Sequence, residues 1–116
     1  MFINLSNHKS INWKDKQVVE AASISTPIHD IKFPKVPPEV DVIFIANKTK
    51  ELVTYIISLN PTVVHVMGEH TLTFNIVMEL KKAGIRTIAS TSKRISYINE
   101  DGHKISIFDF VRFRDY

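Results

Sequence analysis

Thr62-Val63-Val64-His65-Val66-Met67-Gly68-Glu69-His70-Thr71-Leu72-Thr73-Phe74, running on through Lys81-Lys82-Ala83-Gly84 to Arg86-Thr87-Ile88-Ala89-Ser90, decides the fold. Residues 62–67 form a β-branched run of strand length after Asn60-Pro61, so they read as a buried strand. From Thr71 to Ala83 the spacing changes to helical: Phe74, Val77, Met78 and Lys81 make one stripe. His70 or Thr71 starts this helix, and Gly84 sits where a glycine ends one. Arg86 to Ser90 then reads as a second strand. Strand, helix, strand in this order implies parallel strands joined by a right-handed crossover.

Working upstream, Phe2-Ile3-Asn4-Leu5 is short, apolar and bounded by Ser6-Asn7-His8, as a buried strand would be. Asn12 to Ala22 reads as a helix, capped by Ser10 or Asn12, with Trp13, Val18, Ala21 and Ala22 on related turns. Ile28 to Phe33 has the mixed pattern of an edge strand, ended by Pro34, Pro37 and Pro38. Residues 39–59 carry two patterns. Val40 to Ile45 has strand composition, but Val42, Ile45, Leu52, Val53, Ile56 and Leu59 keep helical spacing with no Gly or Pro between them. Pro38 suits a first helical turn, and Glu39 and Asp41 suit its positive end, so one long helix is expected here.

Downstream, Ile95 to Asn99 and Lys104 to Phe110 flank Glu100-Asp101-Gly102-His103, a strong hairpin signal. The tail interleaves Phe108, Phe110, Val111 and Phe113 with Asp109, Arg112 and Arg114. It is expected to extend the sheet or to make a dimer contact. The whole reads as one α/β domain over residues 1–116: a mostly parallel sheet, helices on both faces and a C-terminal β-hairpin.

Composition narrows the chemistry. The chain has only three glycines, Gly68, Gly84 and Gly102, and no cysteine. The familiar phosphate loops need glycines close together, so both G-x-G-x-x-G and G-x-x-x-x-G-K-[ST] are excluded. Disulfides, thiolate zinc sites and cysteine nucleophiles are excluded too, which agrees with a reducing, cytoplasmic setting. The five histidines lack metal-ligand spacing, so no metal and no cofactor are expected. No apolar run approaches the roughly 18–20 residues that span a bilayer, and Met1-Phe2-Ile3-Asn4-Leu5 lacks the pattern of a signal peptide. With 15 Lys+Arg against 12 Asp+Glu, the net charge of +3 is small and not gathered into a basic stripe, which argues against DNA as a partner.

Ligands of open α/β sheets bind outside the carboxyl ends of the strands, where strand order reverses. Three polar groups follow apolar strands directly and are expected on that rim: Ser6-Asn7-His8, Gly68-Glu69-His70-Thr71 and Ser90-Thr91-Ser92-Lys93-Arg94. Gly68 permits close backbone approach, and the amides of His70, Thr71 and Leu72 open a helix whose N-terminus attracts an anion. Ser90, Thr91 and Ser92 offer hydroxyls, Lys93 and Arg94 offer charge, and Asn7 offers a carboxamide to a base edge or a ribose. His8 and His70 suit acid–base work near neutral pH. Each group also has a plain structural reading as a turn, cap or solvated surface, and His65 reads as a hydrogen-bonded core histidine. Their placement on one edge is what raises the functional reading.

Those segments resemble the small CRISPR-associated proteins that bind, and in some cases cut, cyclic oligoadenylate second messengers: CARF-type domains and small ring nucleases of type III CRISPR systems. The likeness lies in Leu5-Ser6-Asn7-His8, Met67-Gly68-Glu69-His70-Thr71-Leu72-Thr73-Phe74 and Ala89-Ser90-Thr91-Ser92-Lys93-Arg94. It covers most of residues 1–95. It implies a Rossmann-like fold and a homodimer that holds a ring of three to six adenylates across its two-fold axis. It further implies metal-independent cleavage, in which a ribose 2′-OH attacks its own 3′-phosphate and leaves a 2′,3′-cyclic phosphate. Lys93, Arg94 and the amides after Gly68 would then stabilise charge. His8, then His70, would move protons, and Ser6 and Asn7 would orient the ribose or phosphate. Glu69 would recognise adenine or ribose, or orient a neighbour, rather than act as a base beside a polyanion. Two other readings stay open: a binding protein that does not cleave the ring, and a small Rossmann-like interaction subunit using the aromatic tail.

Overall fold

The computed structural model describes residues 1–116. Five strands form one sheet in the order β2-β1-β3-β4-β5, where β1 is Phe2–Ser6, β2 Ile28–Lys32, β3 Val63–Val66, β4 Arg86–Ile98 and β5 Lys104–Asp115. The first four are parallel neighbours, and β5 pairs antiparallel with β4. Helices α1 (Asp15–Ile24), α2 (Val42–Ser58) and α3 (His70–Lys82) fill the three crossovers. No helix is long and apolar enough to cross a membrane.

The strand order dictates where the helices lie. The chain steps one way from β1 to β2, then back across β1 to β3 and on to β4. Crossovers of a single hand therefore place α1 on one face and α2 with α3 on the other. Side-chain alternation sorts the core to match. Ile3, Leu5, Val64 and Val66 pack with Ile45 and Ile56 of α2 and with Leu72, Ile76 and Leu80 of α3. Phe2, Val63 and Ile88 pack with Ala21 of α1, flanked by Trp13 and Phe113. Asn4, Ser6 and His65 share this second face, and all three are buried.

Three element boundaries differ from the sequence expectation. The first helix starts at Asp15 rather than Asn12, because Ser10 does not cap it. The Ser10 amide and hydroxyl instead bind the Asp30 carboxylate at 3.1 and 2.9 Å, which holds residues 10–12 in a 3₁₀ turn. The long helix begins at Val42, with Asp41 as its N-cap: one carboxylate oxygen accepts from the amides of Ile43 and Phe44 at 3.0 and 3.2 Å. Pro38 and Glu39 thus precede the helix rather than forming its first turn.

The third difference matters most. Ser90-Thr91-Ser92-Lys93-Arg94 is not a loop after the fourth strand. Strand β4 runs unbroken to Ile98, because β5 pairs with it from Ile88 to Ile98, with one bulge at Thr91/Ser92. The hairpin does turn at Gly102, whose φ of +78° suits glycine. Asn99 opens the turn and accepts from the amides of Asp101 and His103 through its side chain, at 3.1 and 2.9 Å. Past Ile88, β4 has no pairing with β3, and the hairpin continues as a two-stranded ribbon.

Candidate functional site

β1 and β3 are the central strands, and the chain leaves them toward opposite edges of the sheet, which makes their carboxyl ends the switch point. A cleft of about 450 Å³ opens there on the α1 face. β1 contributes Ser6 and, just beyond it, His8, while β3 contributes His65 and, just beyond it, Met67. The segment into α1 gives Asn12, Trp13 and Lys14, and α1 itself gives Gln17. The ribbon closes the far wall with Ser90, Ser92, Phe108 and Phe110. The bulge at Thr91/Ser92 shifts the alternation of β5 so that Phe108 and Phe110 share a side with Phe113.

Beneath the cleft lies a buried polar network. His65 is 2% exposed, and its Nδ1 lies 2.8 Å from Asn4 Oδ1 while its Nε2 lies 2.6 Å from Ser90 Oγ. The register of the sheet makes this possible, because Asn4 pairs directly with His65 across β1 and β3. The Asn4 carboxamide donates to the His8 carbonyl at 2.9 Å and to Asp30 Oδ1 at 2.8 Å, and the Ser6 hydroxyl donates to Asn4 Oδ1 at 2.9 Å. Gln17 Nε2 donates to Ser90 Oγ at 3.2 Å. Phe2, Trp13 and Phe113 surround the imidazole, with ring centroids 5.5–6.4 Å away. Burial therefore disfavours the imidazolium and pushes the His65 pKa down to about 4. Burial of the Asp30 carboxyl works the other way, but its hydrogen bonds from Asn4 and Ser10 outweigh it and hold the group below its ordinary value.

A family model described as the Uncharacterized protein MJ1673 family matches residues 1–114. The chain belongs to that family. No curated protein and no solved structure matches it.

In this MJ1673-family chain the expected site residues fall into three places. Ser6, His8, Ser90 and Ser92 line the switch-point cleft, and Asn7 is exposed between the first two. His70 and Thr71 line a separate groove between the N-termini of α2 and α3, with Val40, Val42, Ile45 and Phe74. Glu69 caps α3: its carboxylate accepts from the amides of Leu72 and Thr71 at 2.8 and 3.0 Å, and those bonds hold its pKa below the usual value. The amides reserved for an anion thus already have one. Gly68 packs beneath Phe33, and a Cβ there would lie 2.5 Å from the ring.

Thr91, Lys93 and Arg94 lie within β4. Thr91 Oγ1 donates to the Arg112 carbonyl at 2.9 Å, and Arg94 Nη2 donates to Ser106 Oγ at 3.3 Å. Alternation puts Arg94 on the Ser92 face and Lys93 on the opposite one, and neither lines the cleft. The cation of the cleft is Lys14, 3.6 Å from Asp109. Sequence reasoning missed Asn4, Trp13, Lys14, Gln17, Phe108 and Phe110 as site residues and read His65 as core alone. One signal was available: Asn4 and Ser6 share parity on β1, so polar atoms recur on one face of an otherwise apolar strand.

Proposed function

We propose that this chain binds a cyclic oligoadenylate, cyclic tetra-adenylate in the most concrete form, and degrades it as a metal-independent ring nuclease that switches off type III CRISPR signalling in the cytoplasm. The observation that carries the reading is the composition of the switch-point cleft. The Trp13 and Phe108 rings stand beside the Asn12 and Gln17 carboxamides, a pairing suited to stacking a purine and reading its edge. Ser6, Ser90 and Ser92 suit ribose hydroxyls, and Lys14 suits a phosphodiester. The volume of about 450 Å³ accommodates a single nucleotide, so a ring needs more than one cleft.

A homodimer supplies the second cleft. The ribbon bears an apolar face of cross-strand pairs, Ile95 with Ile107 and Tyr97 with Ile105, and Ile95, Tyr97 and Ile107 are exposed. In the cleavage step the 2′-OH attacks the adjacent phosphorus, Lys14 steadies charge on the phosphate, and His8 at the mouth gives a proton to the departing O5′. A second reading, binding without cleavage, is favoured by one observation: Lys93 and Arg94 do not line the cleft. Incubating radiolabelled cyclic tetra-adenylate with excess protein in EDTA separates the two. Linear products with 2′,3′-cyclic phosphate ends are expected, and an intact, protein-bound ring would leave the binding reading alone.

A further inference from the structure

Ser90, His65 and Asn4 form a chain of hydrogen bonds from the cleft wall to the middle of the sheet, and its polarity is fixed at the far end. Both hydrogens of the Asn4 carboxamide are used, on the His8 carbonyl and Asp30. The oxygen facing His65 is therefore an acceptor, so Nδ1 of the imidazole carries the hydrogen. Nε2 is left with a lone pair 2.6 Å from Ser90 Oγ, and the Ser90 hydroxyl donates to it. Gln17 fills one lone pair of Ser90, and the other is free for a ligand, since Ser90 lines the cleft. Nucleophile or hydroxyl, imidazole and orienting acceptor stand here in the order and spacing of an acid–base relay.

We infer that Ser90 accepts the proton of a ligand hydroxyl in the cleft while passing its own proton to His65 Nε2, with Asn4 as the positioning residue that holds the imidazole in its accepting tautomer. This rests on the nucleotide reading of the cleft and assigns its missing base. For a ribose with a 3′-phosphodiester, the O2′–P bond forms and the P–O5′ bond breaks. The 2′ proton moves to Ser90 Oγ as the Ser90 proton moves to His65. The departing O5′ takes a proton from His8 or water, and a 2′,3′-cyclic phosphate remains. His65 then returns its proton through Ser90 to solvent.

Packing alone gives no reason for the trio, because apolar side chains of the same shape on β1, β3 and β4 would fill the space beside Phe2 and Phe113 as well. Burial keeps the His65 lone pair available well below neutral pH, and a bound phosphodiester stabilises the transient imidazolium. The ionisable groups that approach the relay are His8 past β1, Asp30 on β2, and Lys14 with Asp109 at the α1 and β5 edge.

Adenosine 3′-(4-nitrophenyl phosphate) isolates the step, because its leaving group needs no acid. Wild type, Ser90→Ala and His65→Gln are compared, with thermal melts as the check on folding. Ser90→Ala removes one hydroxyl and keeps the sheet intact even where His65→Gln does not. The expected result is a kcat about 100-fold lower for Ser90→Ala at unchanged KM, and a wild-type kcat that stays flat through about pH 6.5, where a solvated histidine titrates. Wild type that leaves the ester untouched, or Ser90→Ala within about 3-fold of wild type, overturns the relay. Calorimetry with cyclic tetra-adenylate on the same proteins keeps the two ideas apart. Ring binding without ester cleavage overturns the relay and leaves the ring reading. Ser90-dependent ester cleavage without ring binding overturns the ring reading and leaves the relay.

Discussion

A histidine with a pKa near 4 inside a folded sheet is also a pH-dependent stability element. In the unfolded chain His65 titrates near its ordinary value of about 6.5. As pH falls from there toward 4, the unfolded state takes up a proton that the folded state refuses, so stability falls with pH in that window. The loss amounts to about 3 kcal/mol and levels off below the folded pKa. The lowered carboxyls of Asp30, Glu69 and Asp115 add their own losses only at lower pH. Urea denaturation at a series of pH values should show the His65 slope in wild type and its disappearance in His65→Gln. Gly68 makes a second residue-scale prediction. Phe33 is 2% exposed and its ring cannot swing clear of an added Cβ, so Gly68→Ala should destabilise by about 1–3 kcal/mol in the same assay. Neither effect was legible as such in the sequence. A lone His in an apolar strand gives no sign of which residue stands opposite it, and only the register of β1 against β3 supplies Asn4.

At the scale of elements, the parallel core followed from the sequence because strand and helix periods alternate from Phe2 to Ser90, with residues 39–59 the one stretch that carried both patterns. The fate of 90–94 did not follow. Ser, Thr, Lys and Arg in a row read as a loop, yet pairing with β5 carries β4 through them. Local composition lost to a long-range hydrogen-bond ladder, which a single stretch of sequence does not display. The ribbon that results has strand pairing on one side of each strand only. Hydrogen exchange should therefore show amides of Ser96, Ile98, Lys104 and Ser106 exchanging at least about 100-fold faster than those of Ile3, Leu5, Val64 and Val66. Equal protection would mean that the ribbon is covered in solution, as a dimer through its apolar face would require.

At the scale of the molecule, the candidate site was half legible. The rule that ligands gather at the switch point leads to the edge of the sheet where a cleft opens, and Ser6, His8, Ser90 and Ser92 line that cleft. It looked for charge in Lys93 and Arg94, which ride on β4, whereas the lysine lining the cleft, Lys14, arrives from the segment before α1. It also assigned an anion to α3, whose N-terminus Glu69 already caps. What the fold assembles at the switch point is a hydroxyl- and amide-rich cleft with aromatic walls, one lysine and a buried imidazole behind it, and the proposal of a ring nucleotide shared between two chains rests on that composition. The most direct test is a calorimetric titration of the protein with cyclic tetra-adenylate in EDTA. The account predicts saturable binding at one ring per two chains; no heat, and no binding at any ratio, would contradict it.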